Sequence, residues 1–220
     1  MADTPSTYAG ILAALLNDKP SEKDHYEAFG RFVASFALAE AKVHSLARYL
    51  SGTTDEKARQ IFVGFRLKDS IDRIKAFVRI DRAGGNLYGI PKMSPEIEAT
   101  ITSCLAQIQI ISDVRGRLVH RVSNYFEGTG FQITNSLTSA TFLKSEDQVV
   151  TIQELRDMRN DCGLIFLRLF AITNPTAEPH WVETTPQPWL YKPPPQGSRG
   201  NTPPKIPEAP LPQLPKLGEK

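Results

Sequence analysis

"SPEIEATITSCLAQIQIISDVRGRLVHR", residues 94–121, decides the fold. Ser94 followed by Pro95 is a helix start, because serine caps the free N–H groups and proline fits the first helical position. From there Ile97, Ile101, Cys104, Ile108 and Ile111 recur at steps of four and three. They therefore share one face of a helix predicted over 95–121. The same stripe continues through Arg115 to Leu118. A helix of this length runs about 40 Å at about 1.5 Å per residue, and such a seam faces another helix.

The flanking sequence supplies the partners. Ser21 with Asp24 opens a helix over 22–51, where Phe32, Phe36, Ala39, Val43, Leu46 and Leu50 form a second seam. Thr53 with Glu56 opens one over 54–82, and Thr151 with Glu154 one over 152–173. Thr4 with Pro5 caps a short helix over 5–17. Gly52, "AGGN" at 83–86 and Asn174-Pro175 are the matching stops. Between 123 and 150 the period changes to aromatic, β-branched and Thr-rich runs with turns at Gly128, Gly130 and Asp147. This predicts a small antiparallel hairpin or three-stranded insert. The expected fold is all-α: an up-down bundle of four long helices plus the short N-terminal one, with the β insert, over residues 1–174.

All but four of the 17 prolines lie from residue 175 onward. Residues 175–220 are too poor in apolar surface to offset their ordering entropy, which predicts a disordered tail with polyproline II character. Its P-x-x-P spacings read as those of a solvated tail, since any segment this rich in proline produces them; the alternative is a protein partner with an SH3-like groove, and Trp181 and Trp189 are placed to pin the start of the tail onto the body.

Composition narrows the function classes. A net charge of +2 on 220 residues makes no global demand for nucleic acid or membrane. Cys104 and Cys162 sit in helical runs and belong to no C-x-x-C pair, so a reducing cytoplasm is expected, with no disulfide scaffold or structural zinc. Asp3 and the short run "ILAALL" argue against a signal peptide, and no stretch reaches membrane-span length. Glu40 and His44 share a helix face without the H-E-x-x-H pattern, so no metal site is expected. Over 54–82, eight basic residues mix with five acidic ones, from Asp55 and Arg59 to Asp81 and Arg82. That mixture reads as a solvated face held by pairs such as Asp55–Arg59 and Asp69–Arg73; the alternative is a shallow phosphate track.

Arg115 is the anomaly. A guanidinium on a buried seam stays charged and needs an acceptor. Glu40, beside the 22–51 seam, is the expected partner, and that pair alone would set helix register. His120 lies on another stripe, shared with Asp113 and Arg117. On a straight helix Arg115 and His120 point about 140° apart, so one helix does not bring them into one site.

"RGRLVH", residues 115–120, resembles the R-x4-6-H signature of the HEPN superfamily and is similar to its common "RN-x-[LIV]-V-H" form. The resemblance covers mainly 22–173. It implies a homodimer that joins two such segments and, in active members, metal-independent cleavage of RNA through the 2′-OH in a toxin or defence setting. It further implies Arg115 and His120 as catalytic residues, Glu40, Asp113 and Arg117 as supports, and no cofactor. Many similar proteins are instead non-catalytic interaction domains, so a dimeric helical module with a partner-binding tail stays open. Gly116 departs from the pattern, since a polar side chain usually follows the arginine.

Overall fold

A computed structural model describes residues 21–85, 87, 90, 92–120, 122–126, 130–134, 148–174 and 188–193. The helix expected at 5–17 and most of the tail, including Trp181, lie outside these residues. The elements run α1 (Glu22–Leu50), α2 (Asp55–Ile61), α3 (Leu67–Arg82), α4 (Pro95–His120), β1 (Val122–Phe126), β2 (Gly130–Thr134), β3 (Gln148–Val150) and α5 (Ile152–Thr173). The chain is mostly helical with a small antiparallel sheet, as its periodicities require.

Two of the capping boxes form as expected. Ser21 Oγ accepts from the Asp24 N–H at 3.2 Å while Asp24 Oδ2 accepts from the Ser21 N–H at 2.9 Å. Thr151 and Glu154 repeat the exchange at 3.2 and 2.8 Å. The third box does not form: the Thr53 N–H turns to Ser51 Oγ instead. The helix expected over 54–82 is in fact two. Gly64 sits at φ 76°, a left-handed conformation open to glycine, and breaks the run after Ile61. Asp69 Oδ2 then accepts from the Arg66 N–H at 2.9 Å and restarts the helix at Leu67.

Helix α1 is the spine. It packs along α5 and against α3, and α4 lies chiefly on α5. All six residues of its expected seam are buried. On α4 the seam residues Ile101, Cys104, Ile108, Ile111 and Leu118 are buried with Leu105 and Val114, but Ile97 is 36% exposed where the helix emerges. Leu155, Met158, Cys162, Ile165 and Leu169 supply α5's share. Each large side chain sealed here contributes about 1.5–3 kcal/mol by leaving water.

The sheet order is β1-β2-β3, antiparallel, with Val122 opposite Thr134 and Phe131 opposite Val150. Phe131 anchors it: the ring is buried and packs edge-on to His25 and Tyr26 of α1. Gly130 makes this approach feasible. It sits at φ 124°, and a Cβ there would lie 2.4 Å from the Val150 carbonyl oxygen.

Candidate functional site

The last two turns of α4 carry the residues in question. Val114 and Leu118 face the core, which fixes the rotation of everything between them. Asp113 is exposed, and Arg115, Gly116 and Arg117 are half-buried. His120 closes the helix, and its side chain lies outside the described residues.

Arg115 turns toward α1, but not as expected. Its guanidinium carbon lies 5.6 Å from the centroid of the Phe36 ring. Glu40, one turn beyond Phe36, makes no ion pair with it. The Glu40 charge is felt by His44 instead, the next residue along the same face. The expected Glu40–Arg115 pair is thus replaced by a cation resting on an aromatic face, an arrangement worth about 0.5–2 kcal/mol. Arg115 Nε is buried with no hydrogen-bond partner among the described residues.

Arg117, two residues on, points about 200° away. It reaches the side where Tyr191 packs: burial and Glu154 push the Tyr191 phenol up, and the Arg117 charge opposes them. Arg117 Nε is also buried without a described partner. Within one chain, therefore, Arg115 belongs to the α1 side and Arg117, with exposed Asp113, to another. Glu40 joins neither.

Two polar clusters have no counterpart in the sequence reasoning. His44 Nδ1 and Ser70 Oγ lie 2.7 Å apart, tying α1 to α3. Burial holds the imidazole below its ordinary pKa; Glu40 opposes that shift and Arg48 adds to it. The second cluster centres on Asp161, 1% exposed. Its Oδ1 accepts from the Leu190 N–H and its Oδ2 from the Tyr191 N–H, each at 3.0 Å. Gln107 Nε2 donates to Oδ2 at 2.8 Å and to the Tyr191 carbonyl at 3.0 Å. Burial still pushes the Asp161 carboxyl above its ordinary range, against these three bonds.

Residues 188–193 are accordingly a strap laid on the body, which corrects the expectation of disorder for this part of the tail. Trp189 anchors it as expected: its Nε1 donates to Ser103 Oγ at 3.0 Å, and Arg168 lies 4.9 Å over its ring. The signal for this cluster was a carboxylate, Asp161, on the α5 apolar stripe directly before Cys162.

The remaining chemistry is quiet. Cys104 and Cys162 are free and buried, and burial pushes each thiol up to about 12, far from a reactive thiolate. Among the described residues no group of three His, Cys, Asp or Glu side chains converges as metal ligands, and no helix is long and apolar enough to cross a membrane. On the mixed-charge face Arg59 pairs with Asp55, but Lys68, not Arg73, takes up an acid, Asp72. A cavity of about 450 Å³ between α3 and α4 has Lys75, Arg79 and Arg82 around an apolar floor of Val78, Ile101 and Leu105. Comparison with family models, with curated proteins and with solved structures finds no match for this chain.

Proposed function

We propose that this chain is a HEPN-like endoribonuclease that works as a homodimer and without metal. The observation that carries the reading is Arg115: half-buried, resting on Phe36, its Nε without a partner among the described residues, and not neutralised by Glu40. Buried guanidinium groups are ordinarily paired. A phosphate supplied from outside is the natural complement, since the planar fork binds two of its oxygens in parallel.

The chemistry follows from the two residue types. His120 takes the proton from a ribose 2′-OH; the oxygen attacks the adjacent phosphorus, and the 5′-oxygen leaves with a proton returned by an imidazolium. The products are a 2′,3′-cyclic phosphate and a 5′-hydroxyl. Arg115 stabilises the charge developing on the phosphoryl oxygens. Arg115 and His120 diverge by about 140° along one helix. A second copy, with its own α4 end against the first, completes the site. Asp113 and Arg117 support it from the His120 face. Two unpaired thiols fit a cytoplasmic setting, and a toxin or defence role fits a self-contained RNase.

The test is incubation of the purified chain with RNA in EDTA, with detection of cyclic-phosphate ends. Wild type is expected to cleave, and His120→Ala to lose about 10²–10⁴-fold while keeping its melting temperature. No cleavage by wild type under these conditions overturns the proposal. A second reading, a non-catalytic dimeric interaction module, is favoured by two observations. Gly116 puts no side chain where the R-x4-6-H signature usually carries a polar one, and residues 188–193, within the Pro-rich segment, are held on the body by Asp161. RNA untouched by a dimeric wild type would select that reading.

A further inference from the structure

Helix α3 stacks three cations on one face. Lys75, Arg79 and Arg82 stand at steps of four and three, so they are neighbours along the helix. Like charges at that spacing weaken a helix slightly unless a carboxylate comes within reach. Here the relief is partial. Arg82 pairs with Glu98 near the start of α4. Asp72, the acid one turn before Lys75, is taken by Lys68 at 2.7 Å, and Lys75 adds only a weaker pull on it. Lys75 and Arg79 make no ion pair among the described residues. Helix α4 has no further acid to offer along this stretch, since no charged residue stands between Glu98 and Asp113.

The same cations edge a cleft. Helices α3 and α4 are tied near their shared loop, by Arg82 to Glu98 and by the Met93 N–H, which donates to Asp81 Oδ2 at 3.3 Å. Beyond that tie α4 leans on α5, and the cavity of about 450 Å³ opens between α3 and α4. Its volume falls within the roughly 300–1,000 Å³ of small-molecule sites. Val78, Ile101 and Leu105 form the floor, with Thr102 on the α4 rim. From Asp72 to Arg82 the α3 wall is about 15 Å long. Lysine and arginine lay their methylene stems along such a wall and keep their charges at the water edge.

This lining selects an occupant. Two cations without a carboxylate call for an anionic head, and an aliphatic floor calls for hydrocarbon. A single-stranded nucleic acid would engage the same cations, but its bases stack on aromatic rings, and the lining has none. We infer that the α3–α4 cleft binds a small, free anionic amphiphile: an acyl chain on Val78, Ile101 and Leu105, its carboxylate or phosphate head held by Lys75 and Arg79. The head supplies the negative charge that α4 lacks. The cleft lies on different turns of α4 from Arg115 and His120, so the inference stands whether or not that end of the helix cleaves RNA.

The experiment titrates the full-length chain with octanoate, below its micelle concentration, and follows backbone amide shifts by NMR. Saturable binding is expected, with the shifted amides confined to α3 and the first half of α4. Octanol, the same chain without the charge, should bind about tenfold more weakly. Butyrate, the same head on a shorter chain, should also lose about tenfold or more. Lys75→Gln with Arg79→Gln should weaken octanoate about fivefold to thirtyfold and leave octanol unchanged. Thr102→Trp, at an exposed position, should fill the cleft and block both probes without lowering the melting temperature. Should these variants fail to fold, salt added to wild type replaces them: it must weaken octanoate relative to octanol. Wild type without saturable shifts, octanol binding as tightly as octanoate, or a folded Thr102→Trp that binds like wild type overturns the inference. A single-stranded RNA oligonucleotide that displaces octanoate, and depends on Lys75 and Arg79 to do so, would also overturn it, by making the cleft a phosphate track.

Discussion

Asp161→Ala is the perturbation whose size the structure defines best. The substitution removes the acceptor of three donors: the Leu190 and Tyr191 N–H groups and Gln107 Nε2. If the strap stayed in place, each stranded buried donor would cost about 1–3 kcal/mol. It need not stay, because lifting away returns both backbone groups to water. The loss is therefore capped by what docking contributes, chiefly the burial of Tyr191, about 1.5–3 kcal/mol, and the Trp189 contacts, about 1 kcal/mol more. Removing a carboxylate whose acid form burial favours returns part of this. The expected net loss is about 2–4 kcal/mol in chemical denaturation. The accompanying signature is local: amide exchange at Leu190 and Tyr191 should rise far more than exchange in the α1 core, since strap opening is a sub-global event. A stability within about 0.5 kcal/mol of wild type, with Tyr191 protection intact, would refute the claim that Asp161 holds the strap.

Three further outcomes are expected. In a double-mutant cycle, Arg115→Ala and Glu40→Ala should be additive within about 0.5 kcal/mol, because no ion pair joins them; a coupling well above that would restore the pair. Gly64→Ala, with nothing within 4 Å, should cost only the left-handed penalty of about 1–2 kcal/mol, whereas Gly130→Ala should cost at least about 1 kcal/mol more than that, since the Val150 carbonyl opposes a Cβ in addition to φ 124°; equal thermal-melt losses would contradict this. His44 has a folded pKa below its unfolded value near 6.5, so the unfolded chain binds the proton more tightly; its contribution is complete above that pH and drains away as pH falls toward the lower folded value. Denaturation midpoints measured between pH 7.5 and 5 should fall less steeply for His44→Gln than for wild type, and identical slopes would count against the burial of the imidazole.

The fold was legible because its signals are local. The Ser21 and Thr151 boxes act over three residues, and the α1 and α4 seams need only the helical period to show which side faces inward. The β insert announced itself by a change of period and by Gly130. Trp189 was legible as an anchor because a large amphipathic ring in a polar tail has few other uses. Gly64 is the instructive exception. It is as local a signal as any cap, but the apolar run around it, Phe62 to Leu67, has helical spacing and masks the break.

What lay beyond the sequence is the identity of partners across elements. Periodicity placed Arg115 on the inner stripe of α4. Whether its guanidinium meets Glu40 or Phe36, one turn apart on α1, depends on the rotation and axial offset of two long helices, which the whole core sets. The same holds for Asp161. A carboxylate on an apolar stripe says that some donor must come to it. Only packing could choose the backbone of residues nearly thirty positions later. Chain-local free energies decide where helices begin, end and turn their faces. The acceptor for a buried charge is decided by the one arrangement of all the helices that leaves the fewest polar groups unpaired, and that quantity exists only once the tertiary structure does.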